Sequence, residues 1–136
     1  MKKKYSAKIR VRYNETDQSG AVYFSNFFVW MDFAVAEFFR SLDIYDDLHE
    51  QSVSFVAGEC SARYYAPARY HDLLDVSLEV KKLGNRTIAF VFEMFRGKEK
   101  LADGRILYIF TDSKRNKAVK VPKEVRKALD GGGFLD

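Results

Sequence analysis

The chain has 136 residues, of which 47% are hydrophobic, 31% charged and 15% aromatic, the balance of a globular protein about one domain in size. Lys and Arg number 23 against 19 Asp and Glu, a formal net charge of +4 that suits small anionic ligands as well as it suits nucleic acid. A single cysteine, Cys60, excludes an intrachain disulfide, and with two distant histidines it excludes an ordinary zinc site.

Met1-Lys2-Lys3-Lys4 leads straight into alternating residues rather than an apolar leader. No apolar run approaches the ~20 residues of a membrane helix, so the expectation is a cytoplasmic, reduced protein with no membrane span. Residues 5–13 place Tyr5, Ala7, Ile9, Val11 and Tyr13 on one face, with Ser6, Lys8, Arg10 and Arg12 on the other. That alternation predicts a half-buried strand with a solvated basic face. A polar turn follows, Asn14 to Gly20. From Asn26 to Leu42, Phe27, Met31, Ala34, Phe38 and Leu42 recur at helical spacing, with Ser25 or Asn26 as N-cap. Val29, Trp30 and Phe33 make this helix apolar nearly all round, which predicts that other structure encloses it.

Everything after Gln51 reads as strands: residues 52–65, 75–83, 87–96, 101–112 and a short one near 117–121. Val76, Leu78 and Val80, then Ile88, Phe90, Phe92 and Met94, supply the inward faces of two of them. Cys60 lies within a strand pattern and reads as an inert buried thiol. Pro122 marks the start of a short helix over 123–129, and the run Gly131-Gly132-Gly133 opens a flexible tail, leaving one domain over 1–130 and the tail over 131–136. One helix packed on an antiparallel sheet is an α+β arrangement, and an over-apolar helix predicts self-association. No recognition helix or aromatic-basic motif points to nucleic acid.

No glycine-rich phosphate loop and no recognisable nucleophilic triad occur. The informative stretch is Asp17 to Asn26, a carboxylate in a turn followed by Gly20 and the start of a helix. Free N–H groups at such a terminus favour developing negative charge. A carboxylate beside them can act as general base or nucleophile. Thioester hydrolysis suits this sparse equipment, because a thiol of pKa ~8.5 leaves without a strong general acid. On residue chemistry alone, a turn aspartate capping its own backbone remains the competing reading of Asp17.

The run Val11-Arg12-Tyr13-Asn14-Glu15-Thr16-Asp17-Gln18-Ser19-Gly20-Ala21-Val22-Tyr23-Phe24-Ser25-Asn26-Phe27 resembles the signature of the 4-hydroxybenzoyl-CoA thioesterase family of hotdog-fold acyl-CoA thioesterases. The similarity continues through Tyr65-Ala66-Pro67-Ala68-Arg69-Tyr70-His71-Asp72 to Val121-Pro122. It implies a hotdog fold, a long central helix wrapped by a five- or six-stranded antiparallel sheet. It also implies a homodimer with active sites at the interface, often paired into a homotetramer, and no cofactor or metal. By this resemblance Asp17 is the catalytic carboxylate, the backbone N–H of Phe24 is the oxyanion donor, and Tyr23 and Asn26 shape the turn.

Three positions depart from the family pattern. Phe24 stands where His is frequent, Val35 where Arg is common, and His71-Asp72 where Asp-Asp is usual. Trp30-Met31-Asp32 resembles the aroyl-CoA branch, in which an acid at this place faces the partner's substrate; the plainer reading of Asp32 is an ordinary helix carboxylate. Lys81, Lys82 and Arg86 flank a hairpin turn that in similar thioesterases lies near the CoA nucleotide, and Phe55, Tyr64 and Tyr65 are candidates for an acyl tunnel or for sheet packing. The expected activity is hydrolysis of acyl-CoA to a carboxylic acid and free CoA. The alternative is a non-catalytic hotdog module that binds acyl-CoA or acyl carrier protein.

Overall fold

In the computed structural model, which describes residues 2–136, the alternating segments become strands β1 (Tyr5–Arg10), β2 (Val53–Tyr64), β3 (Leu73–Leu83), β4 (Thr87–Arg96), β5 (Glu99–Asp112) and the two-residue β6 (Lys117–Ala118). Helix α1 (Asn26–Ser41) separates β1 from β2, the short α2 (Tyr45–Glu50) leads into β2, and α3 (Lys123–Gly131) closes the chain. The sheet is antiparallel and runs β1-β3-β4-β5-β2, with β6 against the end of β5. Hairpin turns make β3, β4 and β5 neighbours, so β1 and β2 take the two edges. Register is set by the inward faces: Leu78 lies opposite Phe92, and Val80 opposite Phe90.

The buried face of α1, Phe27, Trp30, Met31, Ala34, Val35, Phe38 and Phe39, covers the inner side of this sheet. The Phe38 ring lies 5.4 Å from Tyr5 of β1 and 6.0 Å from Phe90 of β4, while Phe39 meets Phe55 of β2 at 5.0 Å. The helix therefore reaches both edges. Gly104 of β5 lets it approach closely, because a Cβ there would collide with the Met31 thioether.

Several expectations change. The first strand ends at Arg10, since residues 13–15 wind into a single 3-10 turn, and Tyr13, expected on the buried face, is 75% exposed. Residues 45–50 form a helix that no periodicity announced, because only Leu48 among them is buried. The face of α1 carrying Val29 and Phe33, expected to be enclosed, is exposed at 55% and 42%. Cys60, expected as a buried thiol, is exposed on β2, a strand that pairs with β5 alone among the described residues. At the C-terminus, the Gly133 carbonyl accepts the Lys3 N–H at 2.8 Å and the Phe134 ring packs 4.8 Å from Phe38.

Candidate active site

The segment from Glu15 to Tyr23 folds into a narrow loop whose base is closed by the Tyr23 N–H donating to the Glu15 carbonyl at 2.9 Å. Thr16 pairs with Val22, and the Asp17 N–H donates to the Ala21 carbonyl at 2.7 Å. Gly20 turns the tip with φ of +86°, a conformation that side chains rarely adopt. The loop is stapled to the segment between β2 and β3, as Ala21 pairs with Arg69 and the Val22 N–H reaches the Ala68 carbonyl at 2.8 Å. The two longest stretches of the family signature thus meet in space.

Asp17 is exposed near the loop tip. Its Oδ1 accepts the Ser19 hydroxyl at 2.5 Å and the Ser19 N–H at 2.8 Å, the geometry of a turn aspartate capping its own backbone. The Ser19 hydroxyl and then the Ser19 N–H hold the carboxyl below the usual aspartate value, with the Arg69 guanidinium adding to them. Asp17 is therefore a carboxylate at neutral pH.

Immediately after the loop base, Tyr23 to Asn26 make a turn closed by the Asn26 N–H on the Tyr23 carbonyl at 3.0 Å, and α1 begins. Ser25 holds the cap position with no side-chain cap bond. Among the described residues the N–H groups of Ser25 at the cap and of Phe24 just before it donate to no backbone acceptor. The Phe24 carbonyl accepts the Tyr64 hydroxyl at 2.9 Å, which fixes the peptide between Phe24 and Ser25. Beside it lies a groove of about 340 Å³ lined by Val22, Phe24, Phe27, Tyr64, Tyr65 and Pro67. The rings of Tyr23 and Phe24, 4.8 Å apart, remain about half exposed.

The other sequence candidates are less concentrated. Asn26 turns its amide back to the Glu15 carbonyl at 2.8 Å, so it braces the loop. Asp32 is exposed and accepts the hydroxyl of the buried Tyr108 at 2.7 Å; burial, then this bond, pushes the Tyr108 hydroxyl well above its usual pKa. Asp32 also lines a second groove of about 340 Å³ with Tyr45, Leu48, His49, Ser54 and Phe55. Lys81, Lys82 and Arg86 are exposed at the far end of β3 from the Asp17 loop. At ~3.3 Å per residue that is roughly 30 Å along the strand, so one chain does not bring them to Asp17. A larger cavity, about 510 Å³, lies on the outer face of the sheet near Arg63, Glu93, Asp103 and Arg105, where Asp103 accepts the Tyr65 hydroxyl at 2.6 Å.

Three residues were missed: Glu15, whose side chain is buried, Tyr64 as the holder of Phe24, and Tyr108 as the partner of Asp32. Among the described residues no cluster of His, Cys, Asp and Glu is suited to a metal ion, and no helix is long and apolar enough to cross a membrane.

A family model described as the thioesterase-like superfamily matches residues 11–129. The chain is 31% identical over 127 residues to the acyl-CoA thioesterase YbgC of Haemophilus influenzae, covering 92% of this chain and 93% of that one. It is 25% identical over 137 residues to a 1,4-dihydroxy-2-naphthoyl-CoA hydrolase of Prochlorococcus marinus, covering 93% and 89%. The crystal structure of a hypothetical protein from Aquifex aeolicus matches with a TM-score of 0.86 at 28% identity, covering 92% and 98%. The chain belongs to the thioesterase-like superfamily and is a thioester hydrolase with the hotdog fold.

Proposed function

We propose that the protein hydrolyses acyl-CoA thioesters to a carboxylic acid and free CoA, with Asp17 as the reacting carboxylate and the Phe24 N–H as oxyanion donor. One observation carries this reading: a single hydrogen-bonded loop bears an ionised carboxylate near its tip, and just past its base come N–H groups with no backbone acceptor among the described residues. The thioester carbonyl oxygen sits on the Phe24 N–H, where the helix start stabilises the charge that develops. Asp17 either removes a proton from the attacking water or attacks the carbonyl carbon itself. In the second case the C–S bond breaks to leave a mixed anhydride, which water hydrolyses. In both cases CoA leaves as a thiolate and is protonated by solvent. The Haemophilus influenzae and Prochlorococcus marinus relatives are named for CoA thioesters, which supports the same substrate class.

The aromatic groove beside Phe24 is the acyl subsite in this reading, and Tyr23 walls its approach. Asp32 offers an acceptor to a polar acyl group through the oxygen that Tyr108 does not hold. We take α1 as the long central helix that the sheet wraps, residues 1–130 as one domain, and the cytoplasm as its place. A homodimer, with a homotetramer as its further pairing, is supported by the exposed Val29 and Phe33 and by the free edge of β2. In that dimer Lys81, Lys82 and Arg86 serve the CoA phosphates of the other protomer's site, since their own Asp17 lies a strand's length away.

The test is free-thiol release from a panel of short-chain, long-chain and aroyl-CoA thioesters, with Asp17→Asn beside the wild type. Selective hydrolysis that disappears in the variant, with the fold retained, is the expected result. Binding without hydrolysis of any member would instead identify a non-catalytic acyl-CoA module.

A further inference from the structure

Glu15 looks from its surroundings in sequence like one more polar turn residue, yet it is 5% exposed. A buried carboxylate is costly unless its oxygens are satisfied. Here Oε1 accepts the Arg12 N–H at 2.7 Å, while Oε2 accepts the Trp30 indole N–H at 2.7 Å and the Arg12 guanidinium at 3.3 Å. Burial pushes the carboxyl up, but these bonds outweigh it and leave the group below its ordinary value, hence an anion. The Glu15 carbonyl meanwhile accepts the Tyr23 N–H and the Asn26 amide at 2.9 and 2.8 Å.

One residue thus grips the turn before the loop, the returning arm of the loop, the first residue of α1 and, through Trp30, the body of that helix. Trp30 is itself held, 1% exposed with its ring 5.0 Å from Phe27. Asp17 follows Glu15 by two residues, and Phe24 follows Tyr23 directly. Any slackening at Glu15 moves the carboxylate and the oxyanion donor relative to each other.

We propose that Glu15 is a positioning residue: its buried carboxylate, anchored on Trp30, fixes the separation between the Asp17 carboxylate and the N–H of Phe24. This rests on the reading of those two groups as the reacting ones. A misplacement of ~1 Å can lower a rate about 100-fold, so the dependence falls on kcat rather than on substrate affinity.

Three variants decide it, Glu15→Gln, Trp30→Phe and Asp17→Asn, each followed by thiol release and by thermal unfolding. Trp30 is the one tryptophan of the chain, so its indole gives one proton–nitrogen resonance that reports the Glu15 contact directly. Glu15→Gln is expected to lower kcat roughly 10–100-fold with KM within about twofold, and to shift the indole resonance. Trp30→Phe keeps an aromatic ring against Phe27, removes the donor, and lowers kcat to a similar degree. Asp17→Asn loses activity and leaves the indole where it was. An unchanged kcat in Glu15→Gln and Trp30→Phe, beside an inactive Asp17→Asn, overturns the positioning role and leaves the catalytic reading standing. A wild-type rate in Asp17→Asn overturns both. Should Glu15→Gln fail to fold, the kcat of Trp30→Phe decides the matter alone.

Discussion

Replacing Phe24 with proline removes the N–H together with the ring, and set beside Phe24→Ala it is the sharpest probe of the proposed oxyanion site. Among the described residues the N–H has no backbone acceptor, so no such hydrogen bond is lost. Phe24 is the second residue of the turn closed by Asn26 on Tyr23, the position in such turns where proline is favoured. The ring is 57% exposed, so its loss surrenders less than half of a phenylalanine's burial, about 1 kcal/mol. Phe24→Ala loses the same ring and keeps the N–H, and the ratio between the two variants isolates the donor. Removing one such donor costs about 10²–10³ in kcat, or roughly 3–4 kcal/mol of transition-state stabilisation. Steady-state hydrolysis of the best acyl-CoA of the panel should therefore show Phe24→Pro at least ~100-fold slower than Phe24→Ala, at similar KM and with folding intact by circular dichroism. Equal rates in the two variants would refute the assignment of that N–H.

Ser19→Ala removes the hydroxyl that most depresses the Asp17 carboxyl, so the group should titrate closer to its ordinary value. With the ionised form as the proposed reacting group, activity should be present above the folded-state pKa and lost as pH falls through it; the acid limb of the kcat/KM profile should move to higher pH, and an unmoved limb counts against Asp17. Reversing charge at Lys81, Lys82 and Arg86 together should raise KM for CoA thioesters about tenfold with kcat held, an effect that weakens with added salt. A thioester lacking the nucleotide should not respond, and an equal rise for both substrates would remove these cations from the site. Tyr108→Phe deletes the hydroxyl that Asp32 accepts; because Asp32 is exposed and returns to water, the loss should be about 1 kcal/mol, seen as a fall of about 4 °C in Tm.

The sheet was legible where alternation is regular. Ile88, Phe90, Phe92 and Met94 face inward as their spacing requires, and the hairpins on either side of β4 follow from short turns. Helix α1 was legible from its period, but its exposed Val29 and Phe33 were not, because hydrophobicity marks a surface that avoids water without saying whether its cover belongs to the same chain. Cys60 and Tyr13 were misread for a related reason: an edge strand and a 3-10 turn expose positions that a central strand would bury. At the site, Asp17 and Phe24 stood out through the signature, whereas their supports did not. Glu15 and Trp30 are 15 residues apart and Tyr64 and Phe24 are 40 apart, so no periodicity connects them. Lys81 and Lys82 lie in β3 and Arg86 just after it, but strand direction places them at the end opposite the loop.

That displacement bears on how the site works. An oxyanion donor is effective when preorganised and shielded, because water competes for the developing charge and weakens every electrostatic interaction. In one chain the peptide that carries the Phe24 N–H is held through its Tyr23 carbonyl by the Asn26 N–H, yet Tyr23 and Phe24 are about half exposed. Val29 and Phe33 on α1 and the outer edge of β2 are likewise uncovered. A second copy that buries this surface would exclude water from the donor and carry distant cations to the phosphates in one step. In the homodimer proposed above, assembly and catalysis would be two consequences of the same burial. On that proposal, a charged substitution at the exposed Val29 or Phe33 would lower activity without touching any group that meets the substrate, as thiol release would show.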